Sequence, residues 1–177
     1  AGQMEFVEHA LSVLDREKNG RVVAIVQMSC ATKNESDLLA VKERLLAKHH
    51  LKAVISMPDD LFYPVGVVTC IMVFEANKPN KGRKTWFGYF KDDGFEKRKY
   101  IGRIDVKDRY TNLKRRLLSA YLNLDEIPGL SVRHEVSATD EWCAEAYMET
   151  DYSTLLTSDF DKKIREYCAF KLLTNLK

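Results

Sequence analysis

The chain has 177 residues, enough for one well-filled core with an appendage. Its 45% hydrophobic and 31% charged content is that of a globular protein, and no apolar stretch approaches the ~20 residues of a membrane span. A net charge of +2 conceals a division: residues 78–116 carry 14 basic and 5 acidic side chains, against 8 and 10 before them and 6 and 11 after.

Such a block marks either a surface facing a polyanion or a face neutralised by the acidic C-terminal third, and charge alone leaves both open. The opening residues are amphipathic and acidic, unlike a signal peptide. Cys30, Cys70, Cys143 and Cys168 show no CxxC spacing, and Cys70 sits in an apolar run. Reduced thiols and a cytoplasmic location are therefore expected.

In chain order, MEFVEHALSVLDREKNG places Phe6, Val7, Ala10, Leu11, Val13 and Leu14 at helical spacing and stops at Asn19-Gly20. RVVAIVQM is a continuous apolar run, which suits a strand buried on both faces. NESDLLAVKERLLAKHH is a second helix, with Asn34 as N-cap, Asp37 at the capping-box position and Leu38, Leu39, Val41, Leu45 and Leu46 on its buried side. His49 and His50 close it, where cations favour the helix dipole. LKAVIS is a second buried strand. It leads through a ten-residue loop, MPDDLFYPVG, into an antiparallel return, GVVTCIMVFE. Hairpin loops usually need only two to five residues, and a longer one tends to be functional.

The expected fold class is α/β: half of a doubly wound, Rossmann-like sheet with an antiparallel edge strand, plus a mainly helical C-terminal extension. The half sheet occupies residues 1–78, and residues 79–177 hold the basic segment and the extension. An opening helix without a strand of its own reads as a truncated domain.

After the polar linker NKPNKGRK comes a short aromatic strand, TWFGYF. KDDGFEKRKYIGRID reads as an ordered loop with little regular structure. KDRYTNLKRRLLSAYLNL is helical, with Tyr110, Leu113, Leu117, Leu118 and Tyr121 on one side. The stretch from Glu126 to Leu156 is irregular, with a turn or two of helix at most. A last helix starts at Ser158, capped with Asp161, and carries a stripe of Phe160, Ile164, Tyr167, Cys168 and Leu172.

No glycine-rich phosphate turn, GxSxG or histidine metal spacing occurs, so no metal site is expected. Asp59-Asp60 could bind a cation but more often caps a loop, and Asp92-Asp93-Gly94 is turn chemistry. Cys30 follows a strand, yet no base accompanies it. What remains is the loop, where Phe62 and Tyr63 stand between Pro58 and Pro64. They could form a stacking platform for a planar ligand, or Phe62 could plug the end of the sheet.

The order GRVVAIV, KERLLAKHHL and KAVISMPDDLFYPVGVVTCIMVFEAN resembles the C-terminal half of N6-adenine DNA methyltransferases, above all the modification subunits of type I restriction-modification systems and related fused enzymes. Met57-Pro58, Phe62, Gly66, Thr69 and Ile71 carry the family's loop pattern. The match covers about residues 4–78, extends into TWFGYFKDDGFEKRKYIGRID and thins after residue 125.

The resemblance implies a parent enzyme that flips an adenine out of the duplex and methylates its N6 from S-adenosylmethionine. Phe62, with Tyr63 beside it, would stack on the extruded base. Lys81, Arg83, Lys84, Lys97, Arg98, Lys99 and Arg103 would contact DNA phosphates or partner subunits. The family's Asn/Asp-Pro-Pro-Tyr/Phe motif and glycine-rich cofactor turn are absent. The chain alone is therefore expected neither to methylate nor to bind S-adenosylmethionine well. Its expected partners are DNA, the missing N-terminal half, and specificity and restriction subunits, with no membrane. The alternatives are a non-enzymatic protein-interaction module and a piece of another Rossmann-like transferase.

Overall fold

The computed structural model describes residues 2–14, 20–62, 64–149 and 155–174. The stop expected at Asn19 and the side chain of Tyr63 lie outside the described residues. In order, the elements are α1 (Gln3–Ser12), β1 (Arg21–Gln27), α2 (Ser29–Thr32), α3 (Ser36–Lys48), β2 (His50–Ser56), β3 (Thr69–Glu75), β4 (Thr85–Tyr89), β5 (Glu96–Arg98), β6 (Gly102–Ile104), α4 (Tyr110–Asn123), β7 (Ser131–His134), a 3₁₀ turn (Ala144–Ala146) and α5 (Thr157–Thr174). Helices cover both faces of a mixed sheet, which is the α/β class expected.

The sheet order is β1-β3-β2-β4-β7. β2 and β4 run parallel, with Ala53 opposite Trp86, and β3 runs antiparallel to β2, as its sequence suggests. Its place differs from the expectation: β3 is interior, wedged between β1 and β2, and the antiparallel edge is β7. Sequence exposes this logic only in part. The most uninterrupted apolar strand takes the position with neighbours on both sides, because an interior strand is screened along both edges. The expected division at residue 78 falls between β3 and β4, which belong to one sheet.

β1 corrects the sequence reading most sharply. It is an edge strand, and only alternate residues are covered: Val26 is buried, whereas Val23 and Ile25 are 65% and 59% exposed. Alternation follows from the pleat, which sends successive side chains to opposite faces. One face of the sheet packs under α1, α3 and the 3₁₀ turn through Leu11, Leu45, Met72, Phe74 and Trp142. The other packs under α4 through Trp86, Leu117 and Ala120, and this helix stops short of β1. Gly88 makes room on that face: a Cβ there would meet the Trp86 ring at 2.5 Å.

Several local expectations shift for tertiary reasons. In α1 the buried line is Met4, Val7 and Leu11, and Phe6 and Val13 face solvent. α3 starts at Ser36 with Glu35, not Asn34, at the N-cap position and no side-chain cap, and the Asn34 amide donates to the Thr139 carbonyl (2.8 Å). Lys42 is fully buried on α3; its ammonium donates to the Ala31 and Lys33 carbonyls (3.0 and 3.3 Å) and lies 4.9 Å above the Trp142 ring. Burial lowers its pKa.

His49 and His50 are buried, and desolvation lowers both pKa values, so they are neutral hydrogen-bonding groups rather than cations at a helix end. KDDGFEKRKYIGRID holds the β5–β6 hairpin rather than a plain loop. Leu118 points outward from α4. The stretch from Glu126 to Leu156 contributes β7 and the 3₁₀ turn. α5 begins at Thr157, with Asp159 accepting from the Leu156 N–H, and buries none of its side chains, so its apolar stripe faces solvent.

Candidate nucleic-acid interface

The carboxyl ends of β1, β2 and β4 and the start of β3 lie at one end of the sheet. Open α/β sheets place their ligands at this end, because chain crossings there leave a crevice. The long loop, residues 57–68, spans it. β3 begins only at Thr69, so the connection is longer than the ten residues its pattern suggests.

The loop is held at its base. The Met57 N–H donates to Thr69 O (3.1 Å) and the Leu61 N–H to Pro58 O (3.3 Å). Asp59 pairs with Lys91 (2.6 Å) and Asp60 with Arg103 (3.0 Å). Lys91 also reaches Glu145 (3.7 Å), which accepts from the buried Ser56 hydroxyl (2.6 Å). The adjacent aspartates are thus tethers, each with its own cation. Lys91 and Glu145 had no sequence signal, since their partners are 32 and 89 residues away.

Past these tethers the chain presents Phe62, 44% exposed, over a cleft of about 580 Å³ between the loop, β1 and α1. Ile25, Phe62, Val65 and Val67 supply its apolar surface, and Gln3, Gln27 and Thr69 its polar groups. The Gln3 side-chain oxygen, Oε1, is committed, accepting from the Gln27 N–H (2.8 Å). Thr69 differs. Its hydroxyl is buried without a hydrogen-bond partner, a state that normally costs ~1–3 kcal/mol.

An exposed aromatic face and an apolar trough bordered by Gln3 and Gln27 suit a planar heterocycle. The described cleft residues include no carboxylate, amine, imidazole or thiol. Cys30, near the cleft, carries a thiol that burial pushes up, and the Cys70 thiol is pushed up to about 12 by the same cause. Neither is an activated nucleophile.

The expected basic contacts divide between the two ends of the sheet. Lys97, Arg98, Lys99 and Arg103 belong to the β5–β6 hairpin, which follows the carboxyl end of β4 and stands beside the loop. Lys81, Arg83 and Lys84 are exposed but precede β4, at the opposite end, about 20 Å away for a strand of this length. Arg103 is not a free cation. Its guanidinium forms two hydrogen bonds with the buried Asp93 (3.0 and 2.8 Å) besides the Asp60 pair. Asp92 and Asp93 shape the turn, accepting from the Gly94 and Phe95 N–H groups (2.9 and 3.1 Å).

Comparison with known proteins gives these features a context. Residues 1–171 match the family described as N-6 DNA Methylase. The type II restriction enzyme and methyltransferase RM.BcgI of Heyndrickxia coagulans is 34% identical over 173 residues, covering 96% of this chain and 26% of that protein. The chain thus spans about a quarter of that curated relative's length. Its fold is shared with a type I restriction-modification methyltransferase subunit from Streptococcus thermophilus (TM-score 0.60, 17% identity, 75% of this chain and 26% of that one). It is shared too with a chain from a structure addressing complex assembly of the type I R-M system (TM-score 0.61, 19% identity, 99% of this chain and 40% of that one).

Proposed function

Because the chain belongs to the N-6 DNA methylase family, we propose that it is the target-base-holding part of a restriction-modification DNA methyltransferase acting on the N6 amino group of adenine. The observation that carries this reading is the Phe62 cleft at the carboxyl end of the strands, an exposed aromatic face over an apolar trough of a size and shape suited to a planar base. Stacking on an aromatic is worth roughly 1–3 kcal/mol per base, enough to offset part of the cost of extruding one. Tyr63 would flank the base from the loop.

S-adenosylmethionine would supply the methyl group in the parent enzyme, and this reading assigns its cradle to residues outside the described ones. The turn after β1 is the short α2, whose Ala31 and Thr32 N–H groups bond to Met28 O. The reading thus gives cofactor binding and catalysis to an N-terminal half, which would complete the open edge of β1. Lys97, Arg98 and Lys99 would meet the phosphates flanking the target base. Lys81, Arg83 and Lys84, at the far end, would serve more distant DNA or partner subunits for specificity and restriction. Arg103 would position the hairpin. Among the described residues no helix is long and apolar enough to cross a membrane, and the four cysteines are free; the reading includes a cytoplasmic location.

Genomic DNA from cells expressing the full-length protein with its subunits, scanned for N6-methyladenine, tests the reading. Modification in one fixed sequence context, abolished or reduced at least tenfold by Phe62→Ala, is the expected result. A genome without it overturns the proposal. A second reading, a protein-interaction module, is favoured by α5, whose apolar side chains are all exposed. It predicts association that does not weaken with salt, whereas phosphate contacts weaken steeply.

A further inference from the structure

The tip of the β5–β6 hairpin exposes more apolar surface than folding explains. Tyr100 is 94% exposed and Ile101 is 69% exposed, in a turn closed by the Ile101 N–H donating to Arg98 O (3.3 Å). Tyr100 adopts a φ of 65°, a left-handed conformation that costs an aromatic residue energy glycine or asparagine would spare. Neither residue packs on the core, so the strain and the exposure gain nothing for the fold.

The base of the same hairpin is rigid. Arg103 locks it to Asp93 and to Asp60, two residues before Phe62, and Phe95 packs edge-on against Tyr110 of α4 (5.2 Å). From Arg103 to the tip is roughly 10 Å, about three base-pair steps. Lys97, Arg98 and Lys99 flank the tip, and the Lys99 ammonium lies 4.9 Å above the Tyr100 ring.

We propose that this hairpin is a duplex-inserting wedge: a basic two-stranded ribbon entering a DNA groove, with Tyr100 and Ile101 pressed into the base stack beside the base that Phe62 receives. A two-stranded ribbon fits the major groove. Apolar side chains inserted between base steps unstack them, and cations on the ribbon neutralise the flanking phosphates. The exposed pair is unfavourable in water and finds its apolar environment only in the complex. The inference rests on the DNA reading above and adds to it the group that opens the stack. A lipid surface would also accept basic and aromatic side chains, but the ion-pair clamp to the Phe62 loop ties the tip to the base-holding cleft.

The test uses the full-length protein and two duplexes bearing its modification site, one intact and one with an abasic position opposite the target adenine, where extrusion costs less. Tyr100→Ala/Ile101→Ala should weaken binding to the intact duplex roughly tenfold and to the abasic duplex by less than about twofold, whereas Phe62→Ala weakens both. Both tip side chains are exposed, so the melting temperature should match wild type. Equal weakening on the two duplexes, or none, overturns insertion. So does tip-dependent binding to anionic vesicles without any change on DNA. Failure of the wild-type protein to bind either duplex would instead overturn the DNA reading itself.

Discussion

The two ends of the central sheet are built on opposite terms. At the end where β2 and β4 begin, an ion-pair cluster and a buried amide network tie the strands together, and the one orphaned buried atom among the described residues there is Nε of Arg133 in β7. Glu75 receives Arg21, Lys52 and Lys78 at 3.0–3.3 Å and stitches β1, β3 and β2 together. The Asn80 carbonyl oxygen accepts from His50 Nδ1 (2.8 Å) and the Leu51 N–H (3.1 Å), while its amide donates to Val136 O (3.3 Å). At the end where those strands finish, Phe62 stands in solvent and the buried Thr69 hydroxyl has no partner. The closed end ties the strands together with ion pairs and buried amides, and the open end leaves the Phe62 ring uncovered.

The sharpest way to break this comparison is to damage the closed end. Asn80→Ala leaves the His50 and Leu51 donors and the Val136 acceptor without their partner, and should cost about 3 kcal/mol in urea unfolding. A loss below about 1 kcal/mol would mean that the network is replaceable.

Acid probes the same end more gently. Burial pushes the Glu75 carboxyl up, but hydrogen bonds and charge from Lys52 and Lys78 outweigh it and bring the pKa down to about 2. A depressed acid stabilises the fold above its unfolded pKa, so this contribution is complete above about pH 4.5 and disappears as the pH falls toward 2. It amounts to about 2 kcal/mol after allowance for solvent screening. Thermal unfolding across that window should show the slope in wild type and a flatter line in Glu75→Gln.

The open end should respond in reverse. Phe62→Ala is expected to change unfolding free energy by less than about 0.5 kcal/mol, as a half-exposed side chain outside the core does. A loss of 2 kcal/mol or more would restore the plug reading, in which Phe62 closes the sheet for stability alone.

Much of the site was legible because its signals are local. Two apolar strands with an overlong loop between them are visible in Leu51–Glu75, and Phe62 stands out between two prolines. The tethers were not legible: Asp60 means little until Arg103, 43 positions later, lies 3.0 Å away. The Tyr100 tip was missed as well, since β5 and β6 have three residues each, too short for an alternating pattern to register. Lys42 reads as a surface cation on any helix plot, and only the carbonyls of Ala31 and Lys33 explain its burial.

By itself, the sequence determined the α/β alternation, the antiparallel return of β3 and the aromatic loop, because hydrophobic period and turn chemistry act over a few residues. Tertiary structure alone decided that β3 lies inside the sheet, that β1 is an open edge, and that the basic block divides between two ends. Strand order depends on which edges are free when distant segments meet, and a charge acquires its role from the partner that folding brings beside it.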